Sequence, residues 1–305
     1  MTPDWIAIDW GTTHLRAYAM GPGGVLAEAA SEDGMARLTR DGFEPALLRL
    51  IGGWLPRDRQ TPDRQIPVIA CGMVGSRQGW LEAPYRATPC LPIDPAALFP
   101  VATADPRIAV RLVPGLCQNA PADVMRGEET QIAGALAAMP GFDGVICLPG
   151  THSKWAQLSA GEVISFQTCM TGELFALLSS SSVLRHSLTG DGWEETAFLA
   201  ALSDAIARPE RIAARLFALR AETLIADLQP AAARARLSGL LIGIELAATR
   251  PYWLGQDILI VGADTLSGTY ARALAAQGAT TRQLPVAACT IAGLNRARTA
   301  MAAPR

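Results

Sequence analysis

Lys154 is the only lysine of this 305-residue chain; every other basic residue among its 26 lysines and arginines is an arginine. It stands in Leu148-Pro149-Gly150-Thr151-His152-Ser153-Lys154-Trp155. A lysine kept where arginine fills every other basic position is either a chance survivor on the surface or marks a place that wants a compact point charge on a flexible stem rather than a planar fork. Phosphate is a ligand such a charge suits. A second Gly-Thr pair lies in Asp9-Trp10-Gly11-Thr12-Thr13, directly after an apolar run. Gly-Thr turns at strand ends suit phosphate, because glycine lets the backbone come close while N–H groups and the threonine hydroxyl donate to the oxygens. Asp9 would repel a phosphate it touched. Its chemistry is that of a carboxylate holding magnesium, usually through water, against the phosphates; a plain turn-former is the other reading.

Carboxylates recur in Asp123-Val124-Met125-Arg126-Gly127-Glu128-Glu129-Thr130-Gln131, ahead of a small-residue helix expected over 132–139. An acid here can accept the proton of an attacking hydroxyl, although acids at a helix start are also favoured by the dipole alone. Residues 257–264 read as a buried strand ending in Gly262, followed by a helix over 265–276. That arrangement lets the backbone approach a flat ring, as an adenine pocket needs. Other chemistries are excluded. No P-loop string and no Gly-x-Gly-x-x-Gly after a strand occurs, Gly75-Ser76-Arg77-Gln78-Gly79 is not a serine elbow, and His14, His152 and His186 suggest no triad.

The elements that must position these residues form an internal echo. Trp5 to Trp10 reads as a buried strand, Leu15 to Met20 as a second, and Val25 to Ala29 as a third after a Gly-Pro-Gly-Gly turn. The pattern returns 139 positions on, from Gly11 to Gly150: strand 144–148, strand 154–158, a Ser-Ala-Gly turn, strand 163–168. Two similar domains, each opening with an antiparallel meander, are expected. Ala287, Ala288, Ala292 and Gly293 in the run 286–294 would let a helix pack closely, with Ala133-Gly134-Ala135 opposite it. Residues 237–248 read as a buried core helix and Ala231 to Ala235 as exposed helix. Half the residues are apolar, and the net charge of −2 lacks the basic footprint of a nucleic-acid binder. Six scattered cysteines without zinc spacing, a start holding Asp4 without a signal-peptide pattern, and no apolar run of membrane length lead us to expect a reduced, cytoplasmic protein.

The order of Asp9-Trp10-Gly11-Thr12-Thr13, Arg126-Gly127-Glu128-Glu129-Thr130-Gln131, Pro149-Gly150-Thr151-His152-Ser153-Lys154-Trp155 and the Gly262 segment resembles the sugar-kinase, hexokinase, actin and Hsp70 superfamily. More closely, the chain resembles the 2-dehydro-3-deoxygalactonokinases over nearly its whole length, Gly72 to Trp80 and Thr168 to Leu174 included. The resemblance implies an α/β protein of two RNase H-like (actin-like ATPase) domains around a central cleft. One would span 1–124, completed by a helix over 286–305, and the nucleotide-binding other 125–285. It implies transfer of a phosphoryl group from ATP, with Mg2+, to 2-dehydro-3-deoxy-D-galactonate. The roles it implies are Glu128, Asp9 and Lys154 in catalysis, with Asp9 on the metal; Gly11, Thr12, Thr13, Gly150, Thr151 and His152 on ATP phosphates; Gly262 and Ala263 on adenosine. Ser76, Arg77, Gln78 and Arg126 would bind the substrate, with Arg77 on its carboxylate. The superfamily usually places an aspartate as base at the head of the first linking helix; here Glu128 or Glu129 stands near that spot, with Asp123 just upstream. A kinase for another sugar acid or ketose, and an actin-like nucleotide-switch ATPase, are the alternatives. Partners are expected to be the sugar acid and ATP, with neither nucleic acid nor membrane, and a homo-oligomer is compatible with the chain.

Overall fold

The computed structural model describes residues 2–57 and 65–299, which group into two compact units. One comprises the described residues through Phe142, Ser159–Ser165 and those from Val286 onward; the other comprises Asp143–Leu158 and Phe166–Pro285. Residues 125–142, which the sequence reading assigns to the second domain, group with the first unit, because their helix packs along the last helix of the chain. Of the helix expected over 286–305, residues 300–305 lie outside the described residues.

The first unit carries β1 (Trp5–Trp10), β2 (Leu15–Gly21), β3 (Gly24–Ser31), α1 (Phe43–Ile51), β4 (Ile66–Gly72), β5 (Tyr85–Ala87), β6 (Phe99–Val101), β7 (Ile108–Leu112), β8 (Gly115–Asn119), β9 (Ala122–Met125) and α2 (Glu128–Ala138). Its main sheet runs β3-β2-β1-β4-β7-β6, with β1 antiparallel to β2 and parallel to β4; β5, β8 and β9 form a small second sheet. β1 is apolar on both faces because both are covered, as central strands of such sheets require. Ile6, Ile8 and Trp10 pack with Phe43, Trp80 and Val110, while Trp5 and Ala7 pack with Ile69, Ala133 and Leu294.

The second unit carries β10 (Gly144–Leu148), β11 (Ser153–Ser159) except its last residue, the second half of β12 (Glu162–Cys169), α3 (Thr171–Ser181), α4 (Glu195–Ala207), α5 (Ile212–Ile225), α6 (Pro230–Ala248), α7 (Arg250–Trp253), β13 (Ile258–Gly262), α8 (Asp264–Ala275) and β14 (Thr281–Pro285). Its sheet runs β12-β11-β10-β13-β14, with β10 antiparallel to β11 and parallel to β13. With β5 and β6 set aside as additions, both sheets place their strands in the order third, second, first, fourth, fifth. The echo in the sequence is therefore an echo in topology, and each unit is RNase H-like.

The last helix, α9 (Val286–Thr299), lies against α2 as the small residues predict. A Cβ on Gly134 would run into the Cys289 carbonyl, and one on Gly293 into the Thr130 carbonyl, so the backbones touch. One expectation is overturned. Ala231 to Ala235 lie at the start of α6, and Ala232, Ala233 and Ala235 are buried rather than exposed. α6 packs so closely on α4 that small side chains are the ones that fit, Gly239 lying against the Phe198 carbonyl. Helix starts are also earlier than periodicity suggests, at Glu128 for α2 and Pro230 for α6. Among the described residues no helix is long and apolar enough to cross a membrane.

Candidate active site

In the first unit, the Gly11-Thr12-Thr13 turn closes β1. The Gly11 N–H donates to the His14 carbonyl at 2.9 Å, so it is spent within the turn rather than left for a ligand; Thr12 and Thr13 are exposed. The N–H groups of Met35 and Ala36 brace the turn from behind through the Gly11 and Thr12 carbonyls, at 3.0 and 2.9 Å. Gly11 has no left-handed φ, and a Cβ on it would meet only the His14 carbonyl oxygen, at 3.7 Å. Gly150 repeats this in the second unit: φ is ordinary, and a Cβ would meet nothing within 4 Å. Neither conformation nor packing asks for glycine at these two positions.

Asp9 sits at the end of β1, paired in register with Arg16 on β2 and Cys71 on β4. Burial raises its pKa, and Arg16, with Nη1 at 3.3 Å from Oδ2, opposes the rise. Beside it is the head of α2. The Arg126 N–H donates to Glu128 Oε2 at 3.0 Å, and the Gly127 N–H donates to Glu129 Oε2 at 2.6 Å. Both glutamates thus reach back over the helix start. Glu128 is partly exposed. Glu129 is wholly buried, accepts the Thr130 hydroxyl at 2.9 Å, and has its pKa pushed up to about 7 by burial and by the neighbouring Glu128. The Cys71 thiol, raised well above its usual range by burial, feels both Asp9 and Glu129. Asp123 lies away from this cluster in sequence register, on β9 opposite Gln118. In the 72–80 loop Ser76 is buried, while Arg77 and Gln78 are exposed. Arg126 is buried, its guanidinium carbon 4.3 Å from the centre of the Tyr85 ring.

In the second unit, Lys154 is buried on β11 opposite Leu148, and its Nζ donates to the His152 carbonyl at 3.2 Å. His152 and Glu173 are joined at 2.6 Å between Nε2 and Oε2. Behind the turn lies a residue the sequence reading passed over. Glu245, in the helix read as serving only the core, is 2% exposed and accepts hydrogen bonds from Trp155 Nε1 at 2.7 Å, Tyr270 at 2.7 Å and Thr171. Tyr270 also meets the Ser153 hydroxyl at 2.9 Å. One carboxylate therefore ties together β11 on both sides of Lys154, the head of α3, and α8. Burial raises its pKa, and those donors oppose the rise. The available signal was a lone acid in the apolar run 237–248.

A pocket of about 510 Å³ opens beside Gly150 and is lined by Thr171, Phe175, Trp193, Ala263 and Tyr270 among others. Its size and mixture of apolar walls with a few polar groups suit a small organic ligand. Ala263 lines it; Gly262 does not, and is instead where α8 packs close, a Cβ there coming 2.6 Å from Ser267 Oγ. Phe175, Trp193 and Arg272 have no counterpart in the motifs, since they reach the pocket from separate elements.

Comparison with known proteins shows the family. A family model described as 2-keto-3-deoxy-galactonokinase matches residues 9–297. A protein of Rhizobium meliloti (strain 1021) named as a probable 2-dehydro-3-deoxygalactonokinase is 38% identical over 310 residues, covering 97% of each chain. The 2-dehydro-3-deoxygalactonokinase of Escherichia coli (strain K12) is 36% identical over 282 residues, covering 91% of each. A crystal structure of a 2-dehydro-3-deoxygalactonokinase protein from Sinorhizobium meliloti superposes with a TM-score of 0.89 at 36% identity, covering 98% of this chain and all of that one.

Proposed function

The chain belongs to the 2-keto-3-deoxy-galactonokinase family, and from that we propose that it moves the γ-phosphoryl group of ATP to the terminal hydroxyl of 2-dehydro-3-deoxy-D-galactonate, giving the 6-phosphate. It is a sugar-acid kinase, and the cytoplasm is its proposed location. One observation carries the division of labour: the Gly150 turn, open to a ligand, borders the 510 Å³ pocket that also holds Ala263. In this reading the second unit binds the nucleotide, with Gly150, Thr151 and His152 toward its phosphates and Phe175, Trp193 and Tyr270 around its base. The first unit holds the acceptor through Ser76, Arg77, Gln78 and Arg126, and adds the Gly11 to Thr13 turn toward phosphate.

Phosphoryl transfer is mostly positioning and charge neutralisation. Glu128 takes the proton of the acceptor hydroxyl as that oxygen bonds to the γ-phosphorus; the bond to the β,γ-bridging oxygen breaks, and ADP leaves. The Arg126 N–H on Oε2 holds the Glu128 carboxylate in one orientation. Lys154 supplies a buried positive charge for the transferred group. Among the described residues no three His, Cys, Asp or Glu side chains cluster as a protein-only metal site would need. Asp9 at a strand end fits the other mode, in which magnesium keeps its waters and takes one carboxylate alongside substrate phosphates. There the ion would neutralise charge on the phosphates.

The test is coupled ADP release across 2-dehydro-3-deoxygalactonate, other sugar acids, ketoses and no acceptor. The named acid should give the highest kcat/KM, and Glu128→Gln should lower its kcat by about 10²-fold or more. Preference for another acceptor would move the substrate assignment. Equal ADP release without any acceptor would mean a nucleotide switch, and full activity in Glu128→Gln would pass the base role to Asp123 or Glu129.

A further inference from the structure

We propose that Arg126, with Ser76, is the receptor for the carboxylate of the acceptor and so the residue that makes this kinase specific for acids. The inference rests on the sugar-acid reading above. Arg126 is 9% exposed and Ser76 5% exposed. Of the guanidinium nitrogens, Nη2 donates to the Ala83 carbonyl at 2.8 Å, whereas Nε and Nη1 are shut off from solvent and have no acceptor among the described residues. The Ser76 hydroxyl is in the same condition. No described carboxylate pairs with the Arg126 side chain, in contrast to the equally buried Arg107, which grips Asp105 through Nε and Nη2 at 2.9 and 2.7 Å.

A buried guanidinium without a counter-ion is costly, and proteins keep such a group where an anion arrives to complete it. Arg126 Nη1 lies beside Gly75, a Cβ there coming 3.0 Å from it, and Ser76 follows Gly75 in the chain. Two guanidinium nitrogens and a hydroxyl match a group with several anionic oxygens, which in the proposed acceptor is the carboxylate. Until it arrives, the Tyr85 ring covers the guanidinium face at 4.3 Å. That ring is 39% exposed, on the three-residue β5, and is the cover that must swing aside. Arg77, the choice from sequence for this role, is exposed, and its guanidinium is not buried as that of Arg126 is. The backbone of Arg126 meanwhile orients Glu128, so one residue would align both ends of the acceptor.

The experiment compares binding of 2-dehydro-3-deoxygalactonate and its neutral carboxamide, by calorimetry without ATP and by kinetics with it. The wild-type protein should prefer the acid strongly. Arg126→Gln should weaken acid binding by about 10²-fold and carboxamide binding by less than about 3-fold, so the preference collapses. Arg126→Lys, which keeps the charge and loses the fork, should restore only part of it, and Ser76→Ala should cost the acid about 10-fold. KM for ATP should stay unchanged throughout. An undiminished acid preference in Arg126→Gln overturns the proposal; should that variant not fold, the same ratio in Ser76→Ala decides. If the wild-type protein binds the acid through Arg126 yet releases no ADP with it, the kinase reading fails and this one stands. Normal ADP release with an unchanged preference in the variants leaves the kinase reading intact and overturns the role of Arg126.

Discussion

Glu128 and Glu129 are neighbours of one type whose surroundings give them different chemistry. Both fold back on the N–H groups that precede α2, but only Glu129 is sealed from solvent, and burial pushes its pKa up to about 7. The sequence offers both as bases and has no means of sorting them, because which one turns inward depends on where α2 begins, four residues before periodicity places it. A base must reach its hydroxyl, which favours the partly exposed Glu128, while Glu129 holds the Gly127 turn, whose φ of 107° excludes other residues. The buried acid also ties stability to pH. The folded-state pKa of Glu129 lies above the unfolded value of 4.5, so the folded protein retains the proton from about 4.5 to about 7. The stability this contributes is complete below about pH 4.5 and is lost as pH rises through about 7. Between pH 5 and pH 8, denaturant unfolding should show the wild-type protein losing on the order of 3 kcal/mol more than Glu129→Gln, whose amide cannot ionise. Equal losses would mean that Glu129 ionises at its ordinary pH.

At the scale of elements the chain is most legible where small residues force a close approach. Gly134 and Gly293 predict the α2–α9 crossing, and the structure puts backbone against backbone there. Gly134→Ala should therefore destabilise the protein by roughly 1–3 kcal/mol, seen as a lower denaturation midpoint with an unchanged slope; wild-type stability would mean the helices are farther apart. The same logic explains the misreading of Ala231 to Ala235. Alanine carries almost no hydrophobic signal, so it looks alike on a solvated face and under α4, and only the partner helix distinguishes the two. Glu245 shows the reverse case. Its type announces chemistry, but the donors that surround it come from β11, α3 and α8, which are brought together by the fold and not by spacing. The motif strings point to the turns and are silent on what holds the turns in place.

For the whole molecule, one topology occurs twice, and the two copies differ in what surrounds their sheets. The first unit carries a second, three-stranded sheet, and that sheet frames Arg126: Tyr85 lies on β5, and β9 leads into Arg126 itself. The second unit has grown instead by helices, and α3, α6 and α8 wall the pocket. On the proposed reading, acceptor chemistry and nucleotide chemistry belong to different units, and substitutions should separate the two Michaelis constants. Ala263→Leu adds bulk to the second unit's pocket, at the head of α8. It should raise KM for ATP by about 10-fold, the loss expected when a well-filled site must accommodate extra methyl groups, and leave KM for the sugar acid unchanged. Arg126→Gln should do the opposite. If Ala263→Leu instead raises both constants together, the pocket is not reserved for the nucleotide, or the two substrates bind as a coupled pair. Measuring carboxamide and acid binding without ATP tells these apart, because coupling disappears with the nucleotide while a shared pocket does not.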